Sequence, residues 1–287
     1  MPEEPHLKQM PTFTKIFDDP TPGGIIVGRV MLLTARLLDI VDLTEEEKQT
    51  VFNINILVAK KMIAVWKHKE QYRKILNDLI AKEKIKFEKH ENTKIEISQD
   101  LFLEFDEFLV QLKSCLDYLV HLPSPIFSDK RWNLRTFGDK GRDVIRAFRR
   151  NLPKDKQRIV EGLIKYLFER SQEWLTLTID ARDKVNHFLD GGIPFENFSV
   201  LYRGEPSAIR VPMWSPDMSV DSFMEVCWYN LLVFVEDFIA SMMYFKLKDG
   251  LALRHGLAIQ DSPNSPWQIR TQADMDQEIS RPGWAYI

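Results

Sequence analysis

The run PKDKQRIVEGLIKYLFERSQEWLTLTIDARDKVNHFLD, Pro153 to Asp190, decides the fold class. Apolar residues recur in it at Leu163, Leu167, Trp174, Leu177, Ala181, Val185 and Phe188, in steps of three, four or seven. That is the repeat of one helix face held over several turns. Pro153 suits a first helical turn, where its missing N–H costs nothing. Gly191-Gly192 with Pro194 beyond reads as a stop. The spacing therefore predicts a long helix, broken once near Arg170-Ser171, where a charge falls on the apolar seam.

The polar residues of its last turns can be placed at about 100° per residue. With Ala181, Val185 and Phe188 marking the buried direction, Arg182 falls about 100° to one side and His187 about 120° to the other. Asp183 and Asn186 point away from the core. Arg182 and Asn186 are four apart, as are Asp183 and His187, so each pair can touch along the surface. The helix thus has one face for its own core and a second carrying Arg, Asp, Asn and His. That second face is either a solvated surface or a site.

Outward from this helix the same periodicity recurs. Ser98 is an N-cap for Gln99 to Leu122, with an amphipathic stripe at Leu101, Phe105, Phe108, Leu109, Leu112, Leu116 and Leu119, ended by Pro123 and Pro125. Asp221 to Leu247 repeats the pattern at Phe223, Met224, Cys227, Leu231, Phe234, Phe238 and Met242. Upstream, Ile25 to Ile40 is a first helix, and Thr44 with Glu47 forms a capping box for a second that continues through Leu79. Lys82 to Lys94 reads as a charged linker or frayed end, and a short basic helix lies around Val144 to Arg150.

Only two short segments break with helical spacing. Phe198–Arg203 and Ala208–Pro212, separated by Gly204-Glu205-Pro206, read as a small β-hairpin inserted between helices. The expectation is an all-α helical bundle with extra N-terminal helices and this hairpin insertion. Its parts are a Pro-rich arm at 1–24, N-terminal helices packed on or beside the core at 25–95, and a helical domain at 96–248 with the hairpin near 198–212. An irregular tail at 249–287 closes the chain.

The totals narrow the classes. The chain has 287 residues, of which 44% are hydrophobic and 28% charged, enough for a sizeable core. A net charge of −3 argues against coating nucleic acid by bulk charge alone, while leaving room for a local basic patch such as Arg142 to Arg158. The two cysteines, Cys115 and Cys227, sit among apolar residues and read as reduced core thiols. The start Met1-Pro-Glu-Glu-Pro lacks a signal peptide's basic and apolar regions, and no apolar run reaches the length that spans a bilayer. A cytoplasmic location, away from membranes, is expected.

Phosphate-loop, HExxH, GxSxG and dinucleotide fingerprints are all missing from the sequence. Glu104, Asp106 and Glu107 lack the Glu-x-x-His partner of a carboxylate metal site. Arg182-Asp183-Lys184-Val185-Asn186-His187 has the form R-x4-6-H with a polar residue directly after the Arg, near the end of a bundle helix and followed by another amphipathic helix. In these features, over roughly residues 99–247, the chain resembles the HEPN superfamily of small all-α domains.

The resemblance implies a four-helix core and a metal-independent endoribonuclease without a cofactor, possessing a composite site lined by both copies of a homodimer. It implies roles for Arg182 and His187, with Asp183 as the polar follower. Asp183 would orient His187, and Asn186 would bind phosphate or ribose. It also suggests a toxin or phage-defence effector, with RNA as substrate and an antitoxin as a possible partner. The rival expectation is a helical bundle that only binds a protein or nucleotide partner.

Overall fold

The computed structural model describes residues 18–88, 98–127, 132–138, 140–151, 157–169, 171–187, 198, 201–202, 209–255 and 269–273. For 86–88, 157, 186–187, 201–202, 209, 252–255 and 269–273 it describes the backbone alone. The expected arm up to residue 17, Phe188 and the Gly191-Gly192 stop lie outside the described residues. The fold is an all-α bundle, as the periodicity predicts.

The longest element is α2 (Glu45–Glu88), 44 residues or about 66 Å at 1.5 Å per residue. Its start is the expected capping box. The Glu47 N–H reaches Thr44 Oγ1 at 3.3 Å, and the Thr44 N–H reaches back to Glu47 Oε2 at 2.9 Å. Its end corrects the sequence reading, because the charged run from Lys82 is helical as far as Glu88. Lys, Glu and Ala are good helix formers, so charge alone does not fray the element.

Along α2 the buried line runs Val51, Asn55, Val58, Met62, Val65, Lys69, Tyr72, Leu76, in alternating steps of four and three. On α3 (Gln99–Leu119) it runs Leu101, Phe105, Phe108, Leu112, Cys115, Leu119 with the same alternation. Both helices thus carry a heptad seam, the pattern that packs with a small left-handed crossing. His68 meets Glu104 at 2.7 Å, Lys61 donates to Gln111 at 2.8 Å, and the Cys115 thiol faces the Val58 carbonyl. As the number on one helix falls the other rises, so the pair is antiparallel. Ser98 caps α3, its hydroxyl accepting from the Leu101 N–H.

Pro123 does not only end α3. It begins a short helix, α4 (Pro123–Phe127), a position proline tolerates because its missing N–H would be unpaired there anyway. Ahead of α2, a π-helical turn (Val27–Leu32) leads into α1 (Leu33–Ile40). The basic helix is α5 (Arg142–Asn151). The long helix of the opening stretch comes in parts: α6 (Gln157–Ile164), a π-helical turn (Lys165–Glu169), and α7 (Gln172–His187) after the predicted break.

The last helix, α8 (Val220–Tyr244), is capped by Ser219 and is the bundle's centre. By length and composition it could cross a membrane, with a mean hydropathy of 1.4 over its most apolar window, which corrects the sequence expectation that no run is long enough. Most of that window (78%) is buried inside the bundle, as in the core helix of a soluble protein. Two adjacent acids of α8, Glu236 and Asp237, are buried too and are paired within the bundle. Arg29, from the first π-helical turn, donates Nε–H to Glu236 at 2.7 Å, and the Tyr166 hydroxyl, from the second, meets Asp237 at 3.0 Å. Each wound-out turn therefore delivers one polar side chain to consecutive acids of α8.

The expected hairpin is present as β1 (Leu201–Tyr202) antiparallel to β2 (Ile209–Arg210), with Leu201 opposite Arg210. A second follows, β3 (Met213–Ser215) with β4 (Met218–Ser219), where Trp214 stacks on Phe223 at 4.4 Å. The tail read as irregular contains a further pair, β5 (Leu251–His255) with β6 (Ile269–Ala273), in register from Leu251–Ala273 to His255–Ile269. It lies beside α8 and α1.

Candidate functional site at the end of helix α7

Helix α7 is anchored by Trp174, Leu175, Thr178, Ile179, Ala181 and Val185, all buried. This differs from the predicted seam, because Leu177 is 47% exposed and Thr178 takes the inward position. The Thr178 hydroxyl lies 3.3 Å from the Cys227 sulfur of α8, which satisfies a polar group that hydropathy alone would place outside. The change of phase matters for the motif. Arg182, one turn beyond Thr178, sits about 40° from the buried line rather than 100°.

Arg182 is accordingly at the edge of the core, its side chain 35% exposed. Nη1 donates to Asp183 Oδ1 at 3.1 Å, while Nε is buried and has no hydrogen-bond partner among the described residues. On α3, which packs against α7, Asp106 is in the corresponding condition, with Oδ1 buried and without a partner among the described residues. Burial pushes its carboxyl above the ordinary range, Glu107 beside it adds to this, and the positive charge of Arg182 opposes both. The two helices thus hold an arginine and a carboxylate close enough to interact through space, without a direct bond between them.

Of the expected site residues, the structure joins Arg182 to Asp183 and adds Asp106. Asp183 was expected to orient His187; one oxygen of its carboxylate accepts from the neighbouring Arg182. Asn186 and His187 form the last residues of α7, and their side chains lie outside the described residues. Asp106 was within the acidic group weighed for a metal and set aside. Its sequence signal was a carboxylate between the buried Phe105 and Phe108. Among the described residues, no cluster of His, Cys, Asp and Glu has the makings of a metal site.

Nearby groups define what the site can do. An arginine has five N–H donors, and Arg182 commits one, leaving a fork able to receive a phosphate or carboxylate. On the opposite side of α7, Lys140 pairs with Asp180 at 3.1 Å. The basic helix α5 is partly neutralised: Arg149 makes two hydrogen bonds to Glu161, at 2.9 and 2.8 Å, and Arg146 pairs with Asp143. Both cysteines are free and buried. Burial pushes the Cys227 thiol up to about 12 and raises Cys115 as well, so neither supplies a thiolate nucleophile at neutral pH. Compared with known protein families, curated proteins and solved structures, the chain matches none.

Proposed function

We propose that the end of α7 is an RNA-cleaving site of HEPN type, working in the cytoplasm. The observation that carries this reading is Arg182, a partly desolvated guanidinium with donors left over, one and a half turns before His187 on the same helix. RNA brings its own nucleophile. A general base takes the proton of a 2′-OH, that oxygen attacks phosphorus, and the bond to the 5′-oxygen breaks as it gains a proton. The products are a 2′,3′-cyclic phosphate and a 5′-OH end.

His187 is the residue for the proton transfers, since imidazole titrates near neutral pH. Arg182 is the residue for the charge that develops on the phosphorane oxygens. On an ideal helix the two lie about 140° apart. A two-fold pairing of α7 ends would bring an arginine of one copy to the histidine of the other, so the active species is a homodimer. The resemblance places such an activity in a toxin or phage-defence effector.

One observation favours a second reading. The ion pair between Arg182 and Asp183 already neutralises the guanidinium in part, as in a bundle that binds a protein or nucleotide partner without chemistry.

The deciding experiment is cleavage of a mixed RNA pool in EDTA by the wild type, Arg182→Ala and His187→Ala. The ribonuclease reading expects cyclic-phosphate ends from the wild type and a loss on the order of 10²-fold or more in each variant. Cleavage unaffected by both substitutions, in folded protein, overturns it. A wild type that leaves RNA intact gives the advantage to the binding module.

A further inference from the structure

We infer that the outer face of α2 is a track for single-stranded RNA, separate from the end of α7. Lys60, Lys67 and Lys74 recur at seven-residue steps, about 10.5 Å apart, on the exposed side of the helix. The protein neutralises neighbouring cations on α2: Lys48 pairs with Glu45, Lys69 with Glu70 and Glu225, and Arg73 with Asp221 and Glu225. No described residue pairs with Lys60, Lys67 or Lys74. A helix laced with ion pairs elsewhere thus keeps three ammonium groups uncommitted in one row.

Between two of them the surface is concave. A groove of about 440 Å³ runs beside Lys67 and Lys74, with Trp66 half-buried in its wall, Gln71 and His68 alongside, and two carboxylates that are already paired, Glu70 to Lys69 and Arg73, and Glu104 to His68. His68 is held by Glu104 of α3 at 2.7 Å, and both residues line the groove. A lysine row beside a tryptophan wall is the combination that grips a sugar–phosphate backbone while a base stacks on the indole. An acidic protein would use the lysines but has no use for the aromatic wall. Single-stranded nucleic acid is therefore the occupant.

The track is distinct from the candidate cleavage site. Glu104 and Asp106 are about 200° apart around α3, so the groove and Arg182 lie on different sides of that helix. Naming RNA rather than DNA rests on the ribonuclease reading; the groove does not.

The test uses the full-length His187→Ala protein, which keeps the track and blocks the proposed cleavage. Fluorescence anisotropy with a labelled oligo-uridine of about 15 nucleotides is measured over a salt series, for this protein and for versions adding Lys67→Gln/Lys74→Gln or Trp66→Ala. Circular dichroism and melting check the fold of each. The expected result is a loss of roughly ten-fold with Trp66→Ala, and for the lysine pair a salt dependence flatter by about 1.4 in log–log slope. Unchanged affinity and slope in folded variants overturn the track. So does equal competition by poly-glutamate with no effect of Trp66→Ala, which would assign the face to an acidic protein. Cleavage lost at His187 with binding unmoved by these variants supports the ribonuclease and sinks the track. Binding that depends on them with no wild-type cleavage does the reverse.

Discussion

Gly141 offers the sharpest test of how the loop before α5 is packed. Its φ is +77°, in the left-handed region, and a Cβ added there would lie 2.9 Å from Phe168 Cδ1 and 3.0 Å from Phe137 Cζ. Both rings are fully buried and contact each other and Phe234, so neither can swing away without disturbing the core. Gly141→Ala therefore carries two costs. The left-handed backbone disfavours Ala by roughly 1–2 kcal/mol, and overpacking adds roughly 1–3 kcal/mol. Gly23 separates them, because its φ is +69° but its Cβ would meet nothing among the described residues.

With an unfolding entropy of about 2.1 cal/mol/K per residue, a chain of this length loses about 1 °C in Tm for each 0.6 kcal/mol. Gly23→Ala should then lower Tm by about 2–3 °C and Gly141→Ala by about 3–8 °C. Differential scanning calorimetry or a dye-based melt reads both. Equal Tm losses for the two variants would refute the packing of Gly141 against Phe137 and Phe168, since only the backbone cost would then be present.

Two further outcomes follow from the buried charges. Asp106 has a carboxyl raised by burial, so its ionisation opposes folding: stability is greatest below its unfolded value and falls as pH rises through the raised folded one. Asp106→Asn should melt higher than wild type near neutral pH, with the gap closing as pH drops into the carboxylate range; a gap independent of pH counts against the reading. For the buried Arg29–Glu236 pair, removing Glu236 alone with Glu236→Ala should cost about 3–5 kcal/mol, whereas replacing both by apolar residues, Arg29→Met with Glu236→Leu, should recover most of it. A double variant that loses the sum of the two single losses would show that the side chains act independently.

The local elements were legible because their causes are local. Thr44 with Glu47 and Ser98 with the Leu101 N–H are contacts within one turn, and they start helices where the sequence places them. The α2–α3 seam can be read from each helix separately, since the same alternation of four and three appears on both. What escaped depends on partners distant in the chain. The strands β5 and β6 are five residues each and stand thirteen residues apart in sequence, so no two-residue turn announces the pair. Lys69 sits on the buried line of α2, 3% exposed, because Glu225 reaches it from α8 at 2.7 Å; hydropathy alone would turn that lysine outward.

The site shows the same division with more at stake. Arg182, Asp183 and His187 are a pattern along one helix, so spacing alone brings them forward. Their orientation is set by which side of α7 is buried, and that side lies about 60° round from the direction marked by Ala181, Val185 and Phe188. Leu177 is apolar and was given the inner place, but the inner place belongs to Thr178, whose hydroxyl is satisfied by Cys227, 49 residues away in sequence. A helix turns about 100° per residue, so an error of this kind moves every side chain on it. With the correct phase Arg182 turns from the solvent toward α3, where Asp106 acts on it. An arginine on a solvated face would gain little from a carboxylate through space, because water screens the interaction. At the rim of the core, Arg182 Nε and Asp106 Oδ1 are both withdrawn from water, and the positive charge of Arg182 draws the Asp106 carboxyl down against the larger effect of burial. The buried threonine, which carries no chemistry, is thus what gives the arginine its electrostatic setting.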